Sequence, residues 1–409
     1  MLINEAAETT PHSLVSASRV TLASRLAAGE DAGMRLTARR LNRATLDRQL
    51  LLRRERLPVA EAVRRVVGLQ AQEPASPYLA LWNRLDGFDP AELDVAFAEH
   101  AVVKATLMRI TLHAVVAEDY PAFHNAMRFA LRASRLNDDR YRSTGLSTAD
   151  ADALLPHLLE LAARPSTGAQ VEAALAERLG REPPKRLWWA LKTFAPLAHA
   201  PTGGPWSFGL RPSYVTAGTP PSTVDQAESE RRLARRYLEG FGPASVADLA
   251  RFATLYRSRA RSALAAIEDE LVRYEGPDGT ELFDVPGRSL PDEDVPAPPR
   301  LLGMWDSLLL AYDDRGRVIP PDYRKQVIRI NGDTLPTLLV DGYVTGVWRA
   351  VEGGIEATAF RPLPDEAWDG LTAEARALVA FLADRDPAVY RRYGHWWAKL
   401  PPAETRLLS

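Results

Sequence analysis

The feature that most constrains the fold is an order of elements that recurs along the chain: helices first, then a pair of short strands. In the first copy, Leu41, Leu46, Leu50 and Leu51 set an apolar stripe at helical spacing, and Pro58 opens a second helix with Ala60, Val63, Val66 and Val67 inward. Residues 78–85 read as a third helix and Asp89-Pro90 starts a short fourth. The β-branched stretches 102–108 and 111–116 then read as two strands meeting at Arg109-Ile110. The second copy begins at Ser147-Thr148, an N-cap signal, and Ser166 caps a helix running through Leu179. A helix carrying Trp188, Trp189 and Leu191 follows Pro183-Pro184, and strands 196–200 and 206–210 flank the turn Gly203-Gly204-Pro205. In the third, a helix through Tyr237 and Leu238 ends at Gly240, helices 243–253 and 257–270 follow, and strands 271–274 and 281–285 meet across Pro277-Asp278-Gly279.

Helices followed by a two-stranded wing are the winged form of helix-turn-helix. The pattern therefore predicts an α+β chain with three tandem winged-helix motifs. Beyond the proline-rich stretch 286–299 it changes: short apolar runs over 306–347 are separated by Asp313-Asp314, Asn331-Gly332 and Asp341-Gly342, the pairs that turn hairpins. That segment reads as a small β-barrel or curved sheet, closed by helices near 365–384 and 387–396. The expected divisions are a flexible N-terminal extension at 1–35, winged-helix units at 36–146, 147–222 and 223–290, the barrel at 300–361, and C-terminal helices at 362–409.

Composition removes several kinds of chemistry. The chain of 409 residues has no cysteine, which excludes disulfides, zinc fingers and a thiol nucleophile. None of its seven histidines sits at the helical zinc-site spacing, so no metal and no cofactor are expected. No apolar run is long enough to span a bilayer, and the first 35 residues lack the pattern of a signal peptide. A net charge of −2 does not exclude nucleic acid, because binding depends on the phosphates neutralised by a local face. Arginines do cluster locally: Arg39, Arg40, Arg43, Arg48, Arg53, Arg54 and Arg56 share one stretch.

The segment Gly68-Leu69-Gln70-Ala71-Gln72-Glu73-Pro74 carries the candidate chemistry. Gln70 lies at the end of the Pro58 helix and Gln72 two residues on, where the chain leaves for Pro74. In an extended exit, residues two apart point the same way, so two amides can converge on one water molecule. Taken alone, a glutamine at a helix end is usually a solvated surface residue.

These residues, with Leu41-Asn-Arg-Ala-Thr-Leu46, Leu107-Met-Arg-Ile-Thr-Leu-His113, Gly204-Pro-Trp-Ser-Phe-Gly209, Phe241-Gly-Pro-Ala244, Trp305-Asp-Ser-Leu-Leu-Leu-Ala-Tyr312 and 340–348, resemble AlkZ-like and YcaQ-like DNA glycosylases. The resemblance runs from about residue 36 to the C-terminus in collinear order. It implies three tandem winged helices in a C-shaped arrangement plus a β-barrel, and a monomer. It also implies excision of N7-alkylated purines from double-stranded DNA, including bulky adducts and interstrand crosslinks. The AlkZ-like branch carries Gln-x-Gln, and Gln70 and Gln72 match it, with Ala71 a small version of the usual apolar residue between them. An N7-alkylguanine is already cationic, so its glycosidic bond is weak and strong acid catalysis is unnecessary. Amide oxygens can accept a proton from the attacking water and present a dipole to the cationic sugar. With no lysine in the motif, a monofunctional enzyme without a Schiff-base step is expected. Glu73 is the competing base.

Candidate DNA contacts are Arg39, Arg40 and Arg43, the hairpin-tip Arg109, His113, and Arg324 with Lys325 beside Tyr323. Each has a plainer reading. The arginine stretch is more often a solvated helix face, His113 more often a structural hydrogen-bonding residue, and Trp188, Trp189, Trp206 and Trp305 more often core than stacking platforms. Two other functions compete: a non-enzymatic winged-helix DNA-binding regulator, which would leave no abasic sites, and a protein that sequesters the free alkylating compound. A composition rich in Ala, Arg, Leu and Pro resembles that of a high-GC bacterium, which suggests a cytoplasmic, nucleoid-associated enzyme of self-resistance to a genotoxin.

Overall fold

The computed structural model describes residues 33–217 and 225–409. Residues 1–32 of the expected flexible extension lie outside the described residues. Residues 33–36 are not part of a free extension. They run along the third hairpin, with Gly33 N–H donating to Arg273 O and Leu36 N–H to Glu275 O at 2.8 Å each.

Helix α1 (Ala38–Arg48) starts at Thr37, whose side chain accepts the Arg40 N–H, and α2 (Val59–Arg65) follows Pro58. Val67, at φ 71°, then turns the chain out of the helix into β1 (Leu69–Gln70). After α3 (Ser76–Arg84) and α4 (Pro90–Ala98, capped by Asp89) comes the first hairpin, β2 (Val102–Thr106) and β3 (Leu112–Val116). Its register runs from Val102↔Val116 to Thr106↔Leu112. Helices α5 (Tyr120–Leu136), α6 (Asp139–Arg142) and α7 (Thr148–Leu161) lead to β4 (Ser166–Thr167) and α8 (Gly168–Leu179). The cap of α8 is Thr167, reciprocated by Gln170, rather than Ser166, which is paired with Tyr214.

The second hairpin departs from expectation. Helix α9 (Leu187–Phe194) is followed by β5 (Leu197–Ala200), whose partner is β6 (Ser213–Thr216) and not residues 206–210. The latter form a loop, turned by Ser207 at a left-handed φ of 58°, in which Trp206 and Phe208, 4% and 8% exposed, pack against Tyr78 and Phe97. The first two hairpins also do not stand apart. Lys104↔His199 and Ala105↔Ala198 pair β2 with β5, giving one six-stranded sheet ordered β1-β3-β2-β5-β6-β4. Joining two edges in this way removes two rows of unpaired backbone groups.

Helices α10 (Gln226–Phe241), α11 (Val246–Ala253) and α12 (Arg257–Ala265) precede the third hairpin, β7 (Val272–Glu275) with β8 (Glu281–Asp284). The C-terminal part is an antiparallel sheet of β9 (Arg300–Leu302), β10 (Thr337–Val340), β11 (Tyr343–Val351), β12 (Gly354–Ala359) and β13 (Glu404–Leu408). Its order, β13-β12-β11-β10-β9, leaves two edges, so it is an open sheet and not the closed barrel expected. Of the three turn pairs, Asp341-Gly342 joins two strands of this sheet. Asp313-Asp314 leads into a 3-10 turn at Arg315–Arg317, and Asn331-Gly332 closes an isolated bridge between Ile328 and Thr334. Helices α13 (Arg324–Val327) and α14 (Asp365–Ala383) and a 3-10 run at Arg391–Lys399 complete it. Among the described residues no helix is long and apolar enough to cross a membrane.

Two large cores, with a small third cluster around Leu41 and Tyr274, pack the described residues, and the large two cut across the repeated units. One packs α3 and α4 of the first unit against the C-terminal sheet and α14, around Leu79, Trp348 and Leu378. The other joins α5, α9 and α10 to the far face of the six-stranded sheet, around Phe123, Leu191 and Tyr237. Strands β1 and β3 lie between them, so the Gln70 segment sits where the two cores meet.

Candidate active site

Gln70 is held on the short strand β1, which pairs antiparallel with β3 as Leu69↔Ala114 and Gln70↔His113. The approach is close: a Cβ on Gly68 would meet Val115 Cγ1 at 3.0 Å and Met108 Cε at 3.1 Å, so a side chain here would have to push both aside. Ala71 continues the pairing, donating its N–H to Leu112 O at 2.8 Å, and its methyl is fully buried. A small residue between the glutamines therefore packs fully.

Pairing across β1 and β3 places Gln70 and His113 on one face of the sheet. Gln70 is 3% exposed, and its Oε1 accepts a hydrogen bond from Arg109 Nη2 at 2.7 Å. The same Nη2 lies 3.0 Å from His113 Nε2, and His113 Nδ1 lies 3.1 Å from Thr111 O. These contacts fit a neutral imidazole whose Nδ1–H donates to Thr111 and whose Nε2 accepts from Arg109. Burial, reinforced by the Arg109 charge, holds the His113 pKa well below its ordinary value, which agrees. His113 is wholly enclosed, so it is not a DNA contact but a structural partner of Arg109.

Arg109 departs from expectation in a more useful way. It occupies the turn of the first hairpin, where it and Ile110 take left-handed φ values of 55° and 60°. Such backbone is costly for residues with a Cβ and persists where surrounding contacts enforce it. The turn folds the guanidinium back toward the sheet instead of projecting it from a tip. Burial, with the charges of Arg315 and Arg251, lowers the Arg109 pKa to about 9. Its Nη1 is buried without a hydrogen-bond partner.

Gln72 is exposed and lines two neighbouring hollows, of about 270 and 430 Å³. The smaller adds Thr106, Thr111, Trp189 and His199, and the larger adds Lys104, Trp206 and Phe208. The two glutamines thus stand on one segment in unlike settings. Gln70 is enclosed and pinned by a cation, while Gln72 is open to solvent. Glu73 is already engaged, by Arg392 and by the Tyr393 hydroxyl at 2.8 Å, and is accordingly a weak candidate for the base.

The arginine stretch divides, with Arg53 and Arg56 exposed and the rest engaged within the fold. Arg43 is fully buried, donating to Val295 O at 2.7 Å and paired with Asp341, so it cannot touch DNA. Arg39 pairs with Asp341 at 2.7 Å and also donates to Glu293 O. Arg40 reaches Met34 Sδ and Leu290 O. Arg48 forms a two-pronged pair with Asp284 at 2.6 Å, and Arg54 pairs with Glu374 at 2.7 Å. These side chains tie α1 and the residues after it to the third hairpin and the C-terminal sheet. Arg324 and Lys325 are exposed on α13. Trp188, Trp206 and Trp305 are core residues, and Trp189 lies half-buried under Arg135 and Arg140.

Three cations that carry no sequence motif stand out, Lys104 on the larger hollow and two arginines elsewhere. Lys104, in the middle of β2, is 4% exposed, with Nζ 4.2 Å from the centre of the Phe208 ring, and burial lowers its pKa to about 7. Its one signal was a charged residue inside an otherwise apolar strand. Arg251 and Arg315 come from distant segments, and nothing local in the sequence marks them. Among the described residues no three histidine or acidic side chains cluster as a metal site.

A mixed helix-and-sheet chain with this arrangement defines a class, and comparison with known proteins names it. The chain belongs to the AlkZ-like DNA glycosylases, whose family model, DNA glycosylase AlkZ-like, matches residues 63–381. It is therefore an enzyme that acts on DNA, and the reading as a non-enzymatic regulator falls. Among curated proteins it is 26% identical over 352 residues to the interstrand DNA cross-link repair glycosylase of Streptomyces sahachiroi, spanning 78% of this chain and 89% of that protein. Among solved structures it resembles Streptomyces sahachiroi DNA glycosylase AlkZ, with a TM-score of 0.72 at 22% identity over 85% of this chain and 96% of the other. That likeness shows the shared fold.

Proposed function

We propose that the enzyme is a monofunctional glycosylase that hydrolyses the N-glycosidic bond of bulky or crosslinking N7-alkylated purines in duplex DNA. Gln70 and Gln72 position the hydrolytic water. The observation that carries this reading is the Gln70–Arg109–His113 chain: a neutral amide held in one orientation by a buried cation, with a second amide open to solvent two residues on. An amide carbonyl oxygen has two lone pairs, so Gln70 Oε1 can accept from Arg109 and from a water together. A fixed acceptor dipole suits an oxocarbenium-like sugar, because the dipole is aligned before the charge develops. With a cationic base as leaving group, the site needs no strong acid.

The open setting of Gln72 suits a substrate whose base remains tied to the opposite strand and cannot enter a closed pocket. The three hairpins then act as wings arranged in a C around the duplex, and the enzyme works as a monomer in the bacterial cytoplasm. Protection against a genotoxin made by the host is the fitting role, since a relative in a streptomycete is named for cross-link repair.

The test is abasic-site formation on duplex DNA bearing an N7-alkylguanine or a bulkier adduct. Gln70→Ala and Gln72→Ala should each cost about 10²-fold or more in single-turnover rate with DNA binding retained. Wild-type rates in both variants, or no abasic product from the wild type on either adduct, would remove the assignment.

A further inference from the structure

Many of the described arginines hold a carboxylate, and a group around the turn of the first hairpin does not. Arg109, Arg251, Arg315 and Arg324 make no ion pair among the described residues, while the charges of Arg251 and Arg315 act on Arg109, and those of Arg251 and Arg324 act on Arg315. Arg109 and Arg251 line a cleft of about 850 Å³ between the turn of the first hairpin, α5 and α11. The other cations on that cleft, Arg132 and Arg257, face Asp152 at 2.6 Å and Asp313 at 3.4 Å. Arg315 is 9% exposed and does not itself line the cleft, but its charge acts on Arg109; its Nε is buried without a partner, and its pKa is lowered to about 10 by burial and by Arg251 and Arg324. Guanidiniums of which two are desolvated and which repel each other are costly to hold together, and an anion among them offsets that cost.

Resting on the proposed glycosylase reading, we propose that Arg109 and Arg251, with Arg315 behind them, form a seat for one phosphodiester of the DNA backbone, and that the seated phosphate orients the Gln70 amide through Arg109. Two features favour a phosphate. A guanidinium fork matches two phosphate oxygens at once, and two unfilled donors, Arg109 Nη1 and Arg315 Nε, belong to this group. Arg109 also gives its Nη2 to Gln70 Oε1. One side chain thus spans the cleft and the candidate catalytic amide, so it acts as a positioning residue whose alignment depends on the strand being in place.

The test uses the full-length protein and a short undamaged duplex, so it reads binding without requiring glycosylase activity. Arg251 is exposed and can be replaced without disturbing a core. Arg251→Ala should weaken binding several-fold and lower the slope of log affinity against log salt by about 1. Arg315→Ala should do the same, while Arg53→Ala leaves both unchanged. On an adducted duplex, replacing flanking phosphates one at a time by neutral methylphosphonates should slow wild-type turnover at one position. That sensitivity should vanish in Arg251→Ala, which a merely structural role would not produce. Unchanged affinity and slope in both arginine variants would overturn the seat. Stabilisation by inorganic phosphate with an unchanged DNA slope would also overturn it, marking a site for a free anion. Loss of binding in the variants of a protein that makes no abasic product would keep the seat and sink the catalytic reading instead.

Discussion

The arginines of residues 39–56 and those around Arg109 differ in one respect that decides their roles. The first set is dense in sequence but spent on carboxylates: Arg39 and Arg43 on Asp341, Arg48 on Asp284, Arg54 on Glu374. The second is scattered along the chain, and two of its members, Arg109 and Arg251, line a cleft on which Asp313 already faces Arg257. Density in sequence therefore misled, and the paired set fastens helices to distant sheets. An arginine recognises an external anion only where the fold withholds an internal one.

The largest expected effect breaks a member of the paired set. Arg48 and Asp284 are 5% and 2% exposed, and burial raises the Asp284 pKa even with Arg48 beside it. Removing the arginine leaves a carboxylate in a place it cannot be solvated. Arg48→Ala should therefore destabilise the protein by about 3–5 kcal/mol in denaturant unfolding. Under conditions where it remains folded, its DNA affinity and salt slope should match wild type. A folded Arg48→Ala protein with a reduced salt slope would erase the distinction between the two sets.

How far the sequence foretold these regions follows from the range of the forces involved. Local signals worked: Pro58, Asp89 and Ser147 mark helix starts, and the β-branched runs on either side of Arg109 form a hairpin. Long-range pairing did not announce itself. The junction Lys104↔His199 and the strand Glu404–Leu408 against β12 depend on which edges meet, and a period-two pattern is silent on that. The candidate site divides the same way. Gln70 and Gln72 were legible as a motif, but the fold alone buries one and exposes the other. Arg251 and Arg315 become partners of Arg109 only in three dimensions.

Lys104 sharpens the comparison, being a buried cation with no carboxylate on it and an aromatic face instead. Its pKa falls from 10.5 in the open chain to about 7 in the fold. Below pH 7 both states hold the proton, and the fold bears the full cost of a buried charge. Between the two values the unfolded chain keeps a proton that the folded one has shed, so stability rises with pH. From pH 7 to 9 the gain is roughly 2–3 kcal/mol at 1.36 kcal/mol per unit. Lys104→Met should flatten this rise when unfolding midpoints are compared across pH, and should exceed wild type in stability at pH 7. Parallel pH profiles for the two proteins would show that the amine stays charged in the fold.

The smallest expected effect lies at the exposed end of the same arginine stretch. Arg53 reaches Glu55 at 3.0 Å and Arg56 reaches Asp86 at 2.7 Å, with the arginine side chains 83% and 85% exposed. Water screens such pairs, and ordering two long side chains offsets most of their attraction, so each contributes about 0–1 kcal/mol. Arg53→Ala and Arg56→Ala should shift the unfolding midpoint by amounts near the limit of measurement. They also test whether pairing or exposure decides an arginine's availability to DNA. These two are exposed but partnered, and they sit outside the cleft. If either variant lowered the salt slope of DNA binding as Arg251→Ala is expected to, exposure would be the governing property, and the contrast between spent and unspent arginines would fail at the place where it costs the protein least.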